Sequence, residues 1–227
     1  MSRLLLVVAV LLAGIATAPP PAVATFFFSQ PPFLDFGPIE DQLEIVVRAR
    51  ELLAVNAFTG GVVSADLERG ENVLWTGVRG RVALVVTDRR ALGTVPGQSH
   101  WAERAFELRE SEPQGIVIGE RVAMIVTDRR VLGFEGVNGS WSEAFLQRRE
   151  PVLSVQAGTN VAVAVTRNRV LGEAAAGGGI FQAGLELREN VQAVHAHGSL
   201  ATVTTALRLL TFRAPEGDWQ ATDLRFR

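Results

Sequence analysis

At 227 residues and without a cysteine, the chain has room for one sizeable core or a row of repeats, and it excludes disulfides, thiolate metal sites, a cysteine nucleophile and a lipidated cysteine. Its 22 basic residues are all Arg and nearly balance 24 acids, for a formal charge of −2, so neither nucleic acid nor an anionic membrane is an evident partner.

The N-terminus opens with Arg3, an apolar run from Leu4 to Ala16, and small residues at Ala16-Thr17-Ala18 and Ala22-Val23-Ala24. That is the layout of a secretory signal peptide, and it is too short to span a bilayer comfortably. Pro19 would hinder cleavage after Ala18, so residues 1–24 form the expected leader, with cleavage after Ala24. The mature chain is then expected to be secreted or periplasmic, without a membrane anchor and held by packing alone. Residues 25–40 carry Phe26, Phe27, Phe28, Phe33, Leu34 and Phe36, too apolar for a free tail, and are expected to pack on the repeats that follow or to close them into a ring.

From residue 41 onward the chain repeats. Arg81-Val-Ala-Leu-Val-Val-Thr87-Asp88-Arg89-Arg90-Ala-Leu-Gly93 and Arg121-Val-Ala-Met-Ile-Val-Thr127-Asp128-Arg129-Arg130-Val-Leu-Gly133 are nearly the same text. A third copy runs from Asn160 to Gly172 and a diverged fourth from Ser199 to Thr211. The anchor threonines Thr87, Thr127, Thr166 and Thr205 keep a nearly constant spacing of about 39 residues. Fourteen residues past each anchor stand Trp101, Trp141, Ile180 and Trp219, and twenty-two past stand Arg109, Arg149, Arg188 and Arg227. A fainter unit precedes them, with Leu52 to Phe58 as its apolar run, Gly60-Gly61 at the turn and Val62-Val63 as the return. The next anchor, Thr87, follows too soon for a full period, so this copy reads as one strand short.

Alternation decides strand over helix. Val122, Met124 and Val126 fall on one face and Ala123 and Ile125 on the other, both apolar, as in a strand buried on two sides. Each unit divides into four such short runs separated by turn residues. Four-stranded units of about 39 residues resemble β-propeller blades, and the resemblance covers residues 41–227. It implies an all-β, five-bladed propeller with a shortened first blade and repeats near 41–70, 71–110, 111–150, 151–189 and 190–227. An open stacked array is the rival architecture. The units lack the Gly-His and Trp-Asp pairs of WD40 blades and the paired glycines of kelch blades, so the resemblance implies a fold without an activity.

The candidate site residues follow from the repeat. Trp101, Trp141 and Trp219 recur once per unit, either as platforms for a sugar face or as seals between blades; Ile180 in the same place suits the second role. Arg109-Glu110, Arg149-Glu150 and Arg188-Glu189 suggest either a ring of polar sites or ion pairs from blade to blade, structural pairing being favoured, with Glu71 as the first equivalent. Asp88-Arg89 and Asp128-Arg129 read as turn residues. His195 and His197 lie on one side of a strand and could give a metal two ligands, with no third nearby. Asn138-Gly139-Ser140 matches a glycosylation acceptor, and Gly177-Gly178-Gly179 reads as a flexible hairpin.

No nucleophile elbow, phosphate loop or zinc-protease helix occurs, and no catalytic residue is assigned. The expected function is an exported, monomeric, non-catalytic binding module for an unknown protein or glycan, needing no cofactor. A lectin with one site per blade, or a hydrolase at the channel mouth, are the alternatives.

Overall fold

The computed structural model describes residues 40–148 and 150–224. The leader expected at 1–24, residues 25–39 of the apolar segment, and Arg149 and Arg227 lie outside the described residues. All regular structure among those described is β-strand.

Sheet 1 has three strands, β1 (Leu43–Val47), β2 (Glu51–Asn56) and β3 (Val62–Asp66). Sheet 2 follows with β4 (Val73–Arg79), β5 (Val82–Thr87), β6 (Arg90–Thr94) and β7 (Ala102–Ala105). Sheet 3 holds β8 (Gly115–Ile118), β9 (Val122–Val126), β10 (Arg130–Glu135) and β11 (Ser140–Phe145). Sheet 4 holds β12 (Val152–Ala157), β13 (Val161–Thr166), β14 (Arg169–Ala174) and β15 (Ile180–Gly184). Sheet 5 ends the row with β16 (Val191–His197), β17 (Leu200–Thr205), β18 (Arg208–Arg213) and β19 (Asp218–Asp223). Every sheet is an antiparallel meander in chain order.

Four hydrophobic clusters hold the row together, each between consecutive sheets. Val82, Leu84 and Val86 of β5 meet Ala123 and Ile125 of β9, while Val122 and Met124 on the other face of β9 meet Ala162 and Ala164 of β13. The second strands of the three inner sheets are therefore buried on both faces, which is why they read as unbroken apolar runs. Fully burying each such Val or Leu contributes about 1.5–3 kcal/mol. Four-stranded meanders stacked in this way are propeller blades, and the chain is a β-propeller repeat protein.

The inner hairpins add one backbone hydrogen bond per seam: Gln42 N–H to Gly80 O, Arg81 N–H to Glu120 O, Arg121 N–H to Thr159 O and Asn160 N–H to Gly198 O, all 2.8–2.9 Å. These bonds also fix the register of sheet 1. Gln42 stands where Arg81, Arg121 and Asn160 stand, so β1 is a second strand, and the strand missing among the described residues is the first. The anchor position of this copy is thus Arg48, one full period before Thr87, and the run from Leu52 is a third strand instead of the anchor strand. The repeat keeps its period. Arg48 N–H bonds Glu51 O as Thr127 N–H bonds Arg130 O, with the charge reversed at the Arg position.

The outer faces of the two end sheets differ from the inner ones. Where inner sheets carry Leu84 and Val86 or Met124 and Val126, β17 carries Thr202 and Thr204; where they carry Ala83 or Ala123, β1 carries the exposed Glu44. Among the described residues, no cluster joins sheet 5 to sheet 1.

Candidate functional site

The residues that recur most strictly form a clamp at each connection between sheets. Glu71, on the segment from β3 to β4, accepts the Thr87 hydroxyl at 2.7 Å on Oε1, takes Arg90 Nε at 2.9 Å and Nη2 at 3.0 Å, and receives the Glu68 N–H at 2.7 Å. Arg90 Nη2 also donates to Asp66 O, the last residue of sheet 1, at 2.6 Å. The same set is built by Glu110, Thr127 and Arg130, by Glu150, Thr166 and Arg169, and by Glu189, Thr205 and Arg208. Each glutamate side chain is fully buried.

Burial pushes these four carboxyls upward, but the Arg, backbone and Thr hydrogen bonds outweigh it and the net direction is down, to about 2 for Glu189. The glutamates of the recurring Arg-Glu pairs are ion-paired, as structural pairing would have them, and their partner is the arginine three residues past the anchor. Arg109 and Arg188 stand exposed at the turn before the clamp glutamate, with φ of 73° and 70°, where the first copy has Gly70 at 76°. The Asp of the anchor turn ties that turn to the connector before it: Asp88 accepts the Asn72 N–H and Asp128 the Ser111 N–H.

The three tryptophans lie in the seams near the opposite edge. Trp101 and Trp219 are 4% and 9% exposed, and Trp141 is half-buried. Their indole N–H groups donate to Val63 O, Phe181 O and Ala102 O of the preceding sheet. Two of them stack on a phenylalanine of their own sheet, Phe134 with Trp141 at 4.9 Å and Phe212 with Trp219 at 5.2 Å. Each phenylalanine lies on a glycine of the sheet before, Gly93 or Gly172, where a Cβ would come within 2.5 or 3.0 Å of the ring. His195 and His197 are exposed on one side of β16, opposite Thr202 and Leu200, and among the described residues no third His or acid joins them into a metal-binding group.

The seam between sheets 3 and 4 departs from this pattern. Glu173 occupies the slot of Phe134 and Phe212, and its strand partner is Ile180 in place of Trp. It is 0% exposed; Oε2 accepts the Ser142 hydroxyl at 2.7 Å, while Oε1 is buried without a partner. On the facing strand Glu135, 4% exposed, accepts Ser140 Oγ and Asn138 Nδ2 on Oε1 and the Gly178 N–H, at 3.3 Å, on Oε2. Neither acid has an ion-pair partner among the described residues. Desolvation, less the Ser142 bond and helped by the charge of Glu135, raises Glu173 to about 7.

The sequence reading missed this site although its parts were visible. The Asn138-Gly139-Ser140 loop and the Gly177–Gly179 run both feed Glu135, and Ile180 marks the repeat that lost its ring. Glu173 stands seven residues past its anchor threonine, as Phe134 and Phe212 do. An open cleft of about 300 Å³ lies between the same two sheets at the clamp edge, lined by Gln114, Asp128, Leu146 and Pro151 among others.

No family model matches the chain, and no curated protein does. Solved structures do: Prp20p from Saccharomyces cerevisiae, 10% identical over 75% of this chain and 56% of its own, with a TM-score of 0.36. YCF48 from Cyanidioschyzon merolae is 13% identical over 82% and 72%, with a TM-score of 0.35. The WD40 domain of SCAP from fission yeast is 10% identical over 82% and 57%, with a TM-score of 0.33. The matched region spans a little over half of Prp20p.

Proposed function

We propose that this chain is an exported, non-catalytic module that binds a protein partner along its clamp edge. The observation that carries the reading is a pair of apolar side chains held out at equivalent turns: Leu108 is 89% exposed and Leu187 94% exposed. Each turn is closed by backbone and carboxylate bonds, Glu107 N–H to Glu110 Oε2 and Glu186 N–H to Glu189 Oε2, both 2.7 Å. Nothing in the clamp requires a leucine there, because the first copy has Arg69 and the third Arg148. Solvent-facing leucines two blades apart on hydrogen-bonded turns suit a partner with apolar sockets, since little backbone freedom is lost on docking. The open cleft between them adds a recess lined by polar and apolar groups alike.

The clamp threonines, arginines and glutamates hydrogen-bond one another, and the indole nitrogens bond backbone carbonyls, so the recurring polar groups serve the fold. With two of the three indoles buried, a lectin reading would rest on Trp141 alone. Export is supported by Arg3 and the apolar run Leu4 to Ala16.

The test replaces Leu108 and Leu187, one at a time, with a photo-cross-linking residue, and Phe58 on the opposite edge as the control. A discrete adduct in extracts of the native host from positions 108 and 187 but not 58 is the expected result. Equal labelling at all three positions, or none, refutes the clamp edge as the binding face. N-terminal sequencing of the exported protein should read from Thr25.

A further inference from the structure

We propose that Glu135 and Glu173 form a proton-binding site inside the seam between sheets 3 and 4, with one bound proton keeping the two sheets closed and its release loosening them. The geometry is that of two carboxyls facing each other across a seam. Glu173 projects from β14 onto Gly133 of β10, where an added Cβ would lie 2.5 Å from Oε2, and Glu135 follows two residues on along the same face of β10.

The groups around the pair leave its charge uncompensated. From β11 come only the hydroxyls of Ser140 and Ser142, and from β9 the aliphatic Val122 and Met124. On β14 itself Leu171 separates Glu173 from Arg169, whose guanidinium is engaged by Glu150 at 2.9 Å. The loop after β14 adds the Gly178 N–H to Glu135. Two ionised carboxylates in such a place repel each other at low dielectric, while a single proton leaves a neutral acid beside one hydrogen-bonded carboxylate. Two sister copies fill this slot with the rings of Phe134 and Phe212, and sheet 2 has Thr94 there. A divalent cation would need further oxygen or nitrogen ligands, and among the described residues no third acid or histidine joins the pair.

The sign follows from the raised carboxyl. With a folded value of about 7 against 4.5, the Glu173 contribution to stability is full below 4.5 and lost as pH rises toward and through 7. The clamp glutamates shift the other way and stay ionised across this window.

The experiment compares thermal midpoints of the full chain and its Glu173→Gln variant between about pH 5 and pH 8.5. The wild type should lose several degrees across that span, and Glu173→Gln should lose only the part due to other groups. Amide protection in β10, β11, β14 and β15, corrected for the base-catalysed rise of intrinsic exchange, should fall with pH in the wild type alone. Parallel curves for the two proteins overturn the proposal, as does recovery of the acid-side midpoint on adding calcium chloride at the alkaline end, which would make the pair a metal site. If Glu173→Gln does not fold, a carbon-13 titration of the wild-type glutamate carboxyls decides: a midpoint near 7 for Glu173 supports the site, and one near 4.5 overturns it.

Discussion

A glutamate, with a threonine and an arginine sixteen to twenty positions after it in the chain, forms the clamp that recurs at each connection between sheets. The arginine caps the last carbonyl of one sheet and the buried carboxylate of the connector while its own backbone sits in the next sheet's hairpin. Truncating it leaves a buried charge unpaired, so Arg130→Met should cost about 3–5 kcal/mol in a urea titration. Thr127→Val should cost roughly 1–3 kcal/mol, because the glutamate keeps its arginine but loses one donor. Arg109→Gly should instead stabilise by up to about 1 kcal/mol, since the positive φ that Gly70 adopts freely is unfavourable to a side chain. In acid, Glu189, lowered to about 2 from 4.5, holds its stabilisation above 4.5 and loses it as pH falls toward 2. Arg208→Met should flatten that loss in an acid-unfolding curve.

At the scale of strands and sheets, the period of about 39 residues and the two-faced apolar runs made the blades legible in the sequence. Alternation places Val122 and Ala123 on opposite faces, and only a stack buries both. What the sequence hid were partners that lie a sheet away. Nothing near Glu110 names Arg130 as its pair, because the whole β8–β9 hairpin lies between them in the chain, and the adjacent Arg109 is the more obvious choice. The first unit misled for a similar reason: its anchor is Arg48 where every other copy has Thr, so the eye moves to the next apolar run. The divergent seam was hidden because a glutamate in an aromatic slot is noticed only once the slot is known. Gly93 carries the matching packing prediction: its Cβ would sit 2.5 Å from the Phe134 ring, so Gly93→Ala should lower stability by about 1–3 kcal/mol in the same urea titration.

For the whole molecule the consequence is a division of labour between what repeats and what does not. Clamps and inner-hairpin backbone bonds recur from seam to seam, ring-on-glycine contacts fill two of the seams, and together they set the stacking. The exposed leucines, the polar end faces and the acid pair occur in particular copies only. The measurement that tests this division most directly is the thermal unfolding of the full chain beside Arg130→Met and the double variant Leu108→Ser/Leu187→Ser. The expected fall is roughly 10 °C for Arg130→Met and no more than about 2 °C for the leucine pair. A leucine pair that destabilises as much as the clamp variant, or a clamp variant that melts like the wild type, would contradict that division.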